Sequence, residues 1–104
     1  MITLMPAYHG ATVATLGFNG DDTATSNWGA MTVEAERIPA PLTFRAPSAE
    51  HATESSLAAL HDTLCRVGPE RVLAILVEPI GGQSSGVNVP HSVPHRSGVG
   101  RTPR

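Results

Sequence analysis

"VLAILVEPIGG", residues Val72 to Gly82, runs six apolar side chains together and follows them with a carboxylate, a proline and two glycines. A continuous apolar run bounded by polar residues fits a strand of a parallel sheet covered on both faces, although periodicity alone leaves a buried helix segment open. Just upstream, Leu57, Leu60, Leu64 and Val67 recur at helical spacing. Ser55 or Ser56 is placed to cap that helix and Gly68-Pro69 to end it. Arg66 falls in its last turn, where a cation suits the helix dipole. Helix, short turn and buried strand make half of a βαβ unit, so the expected class is α/β.

Working outward, Ile2 to Met5 reads as a second short buried strand, stopped by Pro6 because proline cannot donate to an interior ladder. From His9 the pattern changes. Ala11, Val13, Ala14, Leu16 and Gly17 suit a small-residue helix packed closely on a sheet, weakened by Thr12 and Thr15 and ended by Asn19-Gly20. Residues 21 to 32 read as a surface loop with Trp28 as its one large anchor. Between residues 33 and 54, Pro39, Pro41 and Pro47 enforce extended backbone and exclude a long helix. After Ile80 the hydrophobic periodicity stops, and the remainder reads as loop or disorder.

Composition narrows the partners. A net charge of −2 over 104 residues argues against a nucleic-acid surface, which carries a basic stripe. No apolar run reaches the roughly 20 residues that span a bilayer. The first ten residues lack the basic region of a secretory signal. Cys65 stands alone, which leaves no internal disulfide and fits a reducing cytoplasm. All seven basic residues are arginines. A mechanism that needs a lysine amine therefore cannot run within these residues.

Each chemical handle has a plain reading beside it. Gly82 to Gly86 matches G-x-S-x-G with Ser84 at the nucleophile position. That elbow needs a helix straight after the serine, and Val87 to Pro90 cannot start one, so a flexible loop is expected. His91 and His95 are four apart with Pro94 between them. His61 and Cys65 are four apart on the helix, with Cys65 facing the core. Structural zinc wants about four such ligands at compact spacing, so surface histidines are expected and no metal. Arg37 and Arg45 could meet a substrate carboxylate or simply be surface charges. Glu78 follows the buried strand directly, at the end where parallel α/β sheets bind ligands, or else it marks the return of the chain to solvent. Tyr8, His9 and Gly10 offer a flat aromatic face and a close backbone approach at the other strand end, or else a core edge and a helix-capping histidine.

Three segments taken in order, "YHGATVATLGFNG", "APLTFR" and "LAALHDTLCRVGPERVLAILVEPIGGQSSGVNVP", resemble the middle of class III aminotransferases across about residues 1 to 90. The resemblance implies a partial large domain of the fold type I pyridoxal-phosphate fold over 1–90, with an incomplete sheet. It implies amino transfer from an amine or amino acid to a keto acid or aldehyde, with pyridoxal 5'-phosphate as cofactor and a homodimer as the family's assembly. Neither nucleic acid nor membrane enters as a partner. Carried over by residue, Tyr8 would stack on the cofactor's pyridine ring, His9 and Gly10 would complete that motif, and Glu78 would lie near cofactor or substrate.

The chain also departs from the family. The phosphate cradle, the aspartate that pairs the pyridinium nitrogen and the lysine that bonds the cofactor have no counterpart in it. From His91 onward the sequence no longer resembles the family, and 91–104 reads as a disordered or aberrant tail. The expectation is an internal fragment that is inactive alone. The alternative is a non-catalytic remnant that docks on another aminotransferase chain, because a buried-type strand without its sheet neighbours exposes an edge.

Overall fold

A computed structural model describes residues 1–20, 26–82 and 86. Its centre is a three-stranded parallel sheet made of β1 (Ile2–Met5), β2 (Glu36–Pro39) and β3 (Ile75–Leu76). The strand order is β2-β1-β3, so the strand nearest the N-terminus is the middle one. Ile2 stands opposite both Glu36 and Ile75, and Thr3 opposite both Arg37 and Leu76. Backbone bonds extend the ladder at each end, from Glu36 N–H to Met1 O (3.0 Å) and from Ala40 N–H to Met5 O (2.9 Å). Parallel strands place their C-terminal ends together, so Pro6, Ala40 and Val77 all leave the sheet on one side.

The strand at the C-terminal end of the helix is shorter and barer than the run from Val72 to Val77 suggests. Only Ile75 and Leu76 pair, and Leu73 is 87% exposed. Register explains the length: Ile2 opens β1 and faces Ile75, so Val72 and Leu73 run past the start of their neighbour. The second face of this strand has no covering element among the described residues, which corrects the expectation of burial on both sides. Ile75 and Val77 stay exposed on it.

The long helix, α2 (Ala49–Val67), starts well before Ser55. Its cap is Ser48, an extended residue whose hydroxyl accepts from His51 N–H at 3.1 Å. Pro39, Pro41 and Pro47 all precede that cap, so they end where the helix begins and do not shorten it. Ser56 is instead an interior anchor: its hydroxyl donates to Pro39 O at 2.7 Å, tying the helix to the end of β2. A second tie is the fork from Arg66 to Glu36, at 2.7 and 3.2 Å. Arg66 thus serves a carboxylate on the sheet as well as its own helix end. These ties set which side of the helix is inward. Ala52, Ser56 and Thr63 are buried, while Leu57 is 59% exposed. Cys65 lies nine residues beyond Ser56, about two and a half turns, and therefore points the opposite way. It is exposed and does not face the core. Gly68 closes the helix and a 3-10 turn at Pro69–Arg71 leads to β3.

The helix expected from Ala11 shrinks to one turn, α1 (Val13–Leu16). Thr12 and Thr15 build it rather than weaken it: the Thr15 N–H donates to Thr12 Oγ1, and Thr12 N–H donates to Thr15 Oγ1. This reciprocal cap satisfies the orphan donors of so short a helix. Val13 is 53% exposed, so no close packing on the sheet occurs there. Trp28, expected as the one large anchor of a surface loop, is exposed, beside a 3-10 turn at Gly29–Met31. The compact apolar centre is Ile2, Ala7, Ile38 and Ala52. Ser84, His91 and His95, with the tail 91–104, lie outside the described residues.

Candidate functional site

The site forms where β1 and β3 end. After Met5 the chain passes through Pro6 and the buried Ala7, and Tyr8 emerges with about a third of its surface in solvent. After Val77 the chain reaches Glu78. The Glu78 carboxylate accepts from Tyr8 N–H through Oε2 at 3.1 Å and from Gly82 N–H through Oε1 at 3.2 Å. A single side chain thereby joins the two strand ends and closes its own E-P-I-G-G turn. Both oxygens engage backbone donors, and hydrogen bonds to a charged acceptor are among the stronger kind. Tyr8 and Glu78, read separately from the sequence as strand-end residues, are thus neighbours.

His9 and Gly10 are brought into the same turn and held from below. His9 N–H donates to Asn19 Oδ1 at 2.6 Å, and Asn19 Nδ2 donates to Gly10 O at 2.8 Å. The amide of one buried asparagine therefore clamps two successive residues of the turn. His9 Nε2 lies 3.1 Å from Thr3 Oγ1, and the Thr3 hydroxyl also reaches Phe18 O at 2.8 Å. Gly10 has φ +110°, a conformation side chains rarely adopt, and a Cβ there would stand 3.0 Å from Thr15 Oγ1. Gly20 lets the returning chain lie against β1, donating to Ala7 O at 2.9 Å; a Cβ would meet Ala7 N at 2.7 Å.

Thr3 and Asn19 are site-building residues that sequence reading passed over. Asn19 read as a helix terminator, yet the helix ends at Gly17, and Asn19 is 2% exposed inside the turn. Thr3 carried a usable signal, since a lone hydroxyl in the apolar strand I-T-L-M must find a partner when buried. Arg37 is a framework residue as well: it donates through Nε to Asn19 O at 3.2 Å. Arg45 stacks on Phe44, 5.1 Å from the ring centre. His61 and Cys65 stand 3.8 Å apart on the exposed side of α2. No group of three or more His, Cys, Asp or Glu able to hold a metal occurs among the described residues. Nor is any helix there long and apolar enough to cross a membrane.

Chemically, this arrangement presents a partly exposed phenol whose backbone N–H is held by a carboxylate. A flat electron-rich face of this kind suits an electron-poor heteroaromatic ring. The residues fit one wall of a pyridine-ring site. They do not fit a covalent attachment to an aldehyde, because the 104 residues include no lysine.

The chain matches the family model of class III aminotransferases over residues 1–94. It is 34% identical over 74 residues to the hypotaurine/taurine–pyruvate aminotransferase of Paracoccus denitrificans, covering 70% of this chain and 16% of that protein. The structure is similar to an omega transaminase from Pseudomonas jessenii in complex with PMP, with TM-score 0.75 and 27% identity. That likeness covers 86% of this chain and 20% of the transaminase. An amine transaminase from an uncultivated Pseudomonas species, in its PLP-bound form, shares the fold at TM-score 0.77 and 19% identity, covering 86% and 21% of the two chains. The chain therefore spans about a fifth of the length of the transaminase structures and 16% of the curated relative it is similar to.

Proposed function

The chain belongs to the class III aminotransferases, whose cofactor is pyridoxal phosphate, and on that premise we propose that these residues supply the ring-stacking wall of the cofactor site. The observation that carries this reading is the Glu78 bridge, which fixes Tyr8 at the strand ends by accepting from Tyr8 N–H and Gly82 N–H. When bound, pyridoxal phosphate supplies the electron sink for amino transfer. Tyr8 would hold the pyridine ring by stacking its phenol against it. His9 and Gly10 hold the turn that carries Tyr8. Glu78 holds that turn from the β3 side and places negative charge near the ring. The transferred group moves from an amine or amino acid to a keto acid or aldehyde, in a homodimer of the family type located in the cytoplasm. The site has a wall and no lysine of its own, so the chain alone does not transfer amino groups.

Purified chain, incubated with pyridoxal phosphate, taurine and pyruvate, tests this directly. The expected result is no alanine above a protein-free control. Sustained alanine formation that requires the chain overturns the assignment of the covalent step to other residues.

A second reading, favoured by the exposed face of β3, is a non-catalytic role in which the chain docks on another aminotransferase chain. Leu73, Ile75 and Val77 lie in alternate positions along this edge strand and are all exposed. Co-elution with a full-length aminotransferase at micromolar concentration is the outcome this reading requires, and separate elution removes it.

A further inference from the structure

The hydrogen bonds around Thr3 fix which ring nitrogen of a neutral His9 carries its proton. Thr3 has no exposed surface, so its hydroxyl has only protein partners. A threonine hydroxyl carries one proton and two lone pairs. One partner, Phe18 O at 2.8 Å, is a carbonyl and can only accept. The single hydroxyl proton therefore goes to Phe18 O. The other partner, His9 Nε2 at 3.1 Å, must then bring a proton of its own. A neutral imidazole has one N–H, so placing it on Nε2 leaves Nδ1 as an acceptor.

We infer that Thr3 is a positioning residue for the Tyr8 turn, acting by holding His9 as its Nε2–H tautomer. His9 is then gripped at both ends: its side chain by Thr3 on the central strand, and its backbone N–H by Asn19 Oδ1 at 2.6 Å. Asn19 also holds Gly10 O at 2.8 Å, and Arg37 Nε holds Asn19 O at 3.2 Å. Register puts Thr3 and Arg37 opposite each other, so two adjacent strands brace one turn. The turn that follows Tyr8 is thus braced by a hydroxyl on the central strand, through the His9 ring. The link to cofactor affinity rests on the proposed stacking role of Tyr8; the tautomer does not.

The test uses the full chain labelled with nitrogen-15, as wild type, Thr3→Ser and Thr3→Val. Long-range proton–nitrogen correlations, recorded with the ring neutral, read the His9 tautomer. Pyridoxal phosphate affinity is measured in parallel by equilibrium dialysis. Wild type and Thr3→Ser should both show Nε2–H alone, and Thr3→Val should relax to the tautomer mixture of an unconstrained histidine. Thr3→Val should also weaken cofactor binding about fivefold, the factor expected for one net hydrogen bond, with Thr3→Ser restoring it. Nδ1–H in the wild type or in Thr3→Ser overturns the inference, and this holds even if Thr3→Val does not fold. A folded Thr3→Val with unchanged affinity overturns the positioning role. The Nε2–H tautomer in a wild type that binds no cofactor upholds the Thr3 contact and removes the stacking role of Tyr8 instead.

Discussion

Tyr8 N–H donates to Glu78 Oε2 at 3.1 Å across a sequence separation of seventy residues, and this contact joins the ends of β1 and β3. The same carboxylate takes Gly82 N–H with its other oxygen. Substitutions at Glu78 should therefore act in steps. Glu78→Gln keeps one acceptor and should lose about half of what Glu78→Ala loses. For these exposed bonds the full loss is about 1 kcal/mol. Urea denaturation of the three chains checks the order.

Gly10 occupies φ +110° with Thr15 Oγ1 close to where a Cβ would stand. Gly10→Ala should destabilise the turn by about 1–3 kcal/mol, the usual cost of such backbone strain. Amide exchange should rise first at His9 and Gly10, whose turn is the part strained. Unchanged exchange there contradicts the assigned geometry.

Ser48 and Ser55 separate a cap from a surface position. Ser48→Ala should cost about 1 kcal/mol because the His51 N–H loses its acceptor, and Ser48→Asp should retain most of it. Ser55→Ala, at an exposed interior position of the helix, should be neutral or slightly stabilising. Thermal melts of the three variants decide whether the helix begins at Ala49.

Ser56→Ala removes the side-chain hydrogen bond that ties the helix interior to the end of β2. Pro39 O then loses its 2.7 Å donor at a nearly buried position. A loss of about 1–3 kcal/mol is expected. It should exceed the effect of Ser55→Ala, one residue away, in the same melts.

The Glu36–Arg66 pair gives a pH dependence whose sign is fixed. The hydrogen bond from Arg66 holds the Glu36 carboxyl below its ordinary value of 4.5. A group lowered on folding binds fewer protons in the folded state, so its contribution is present above 4.5 and fades as pH falls through the lowered value. The stability difference between wild type and Glu36→Gln should therefore be constant near neutrality and vanish in acid. Both side chains are substantially exposed, so added salt should also shrink it. A difference that grows in acid contradicts the pairing.

Much of the fold was legible because strands and prolines leave local marks. I-T-L-M before Pro6 became β1 over the residues expected, and Gly68-Pro69 ended the long helix as expected. The start of that helix was not legible from apolar spacing, because its first two turns pack through Ala52 and a hydroxyl rather than through leucines. Leu57 misled for the same reason: its spacing is helical, but Ser56 and Arg66 turn the helix so that it faces solvent. The apolar run at Val72 predicted a strand and overstated its burial, since hydropathy records what a surface could pack against and register decides what it meets. At the site, Tyr8 and Glu78 each stood out by position at a strand end. Their contact did not, because no local pattern encodes a bond seventy residues long. Thr3 and Asn19 escaped for a related reason, as their role appears only when the turn folds back over the central strand.

The most direct test of the central claim is equilibrium dialysis of pyridoxal phosphate against the full chain carrying Tyr8, Tyr8→Phe or Tyr8→Ala. A stacking contact is worth about 0.5–1.5 kcal/mol, so Tyr8→Ala should weaken binding about 2- to 13-fold. Tyr8→Phe, which keeps the ring, should bind as the wild type does. Equal affinity of all three chains contradicts the account.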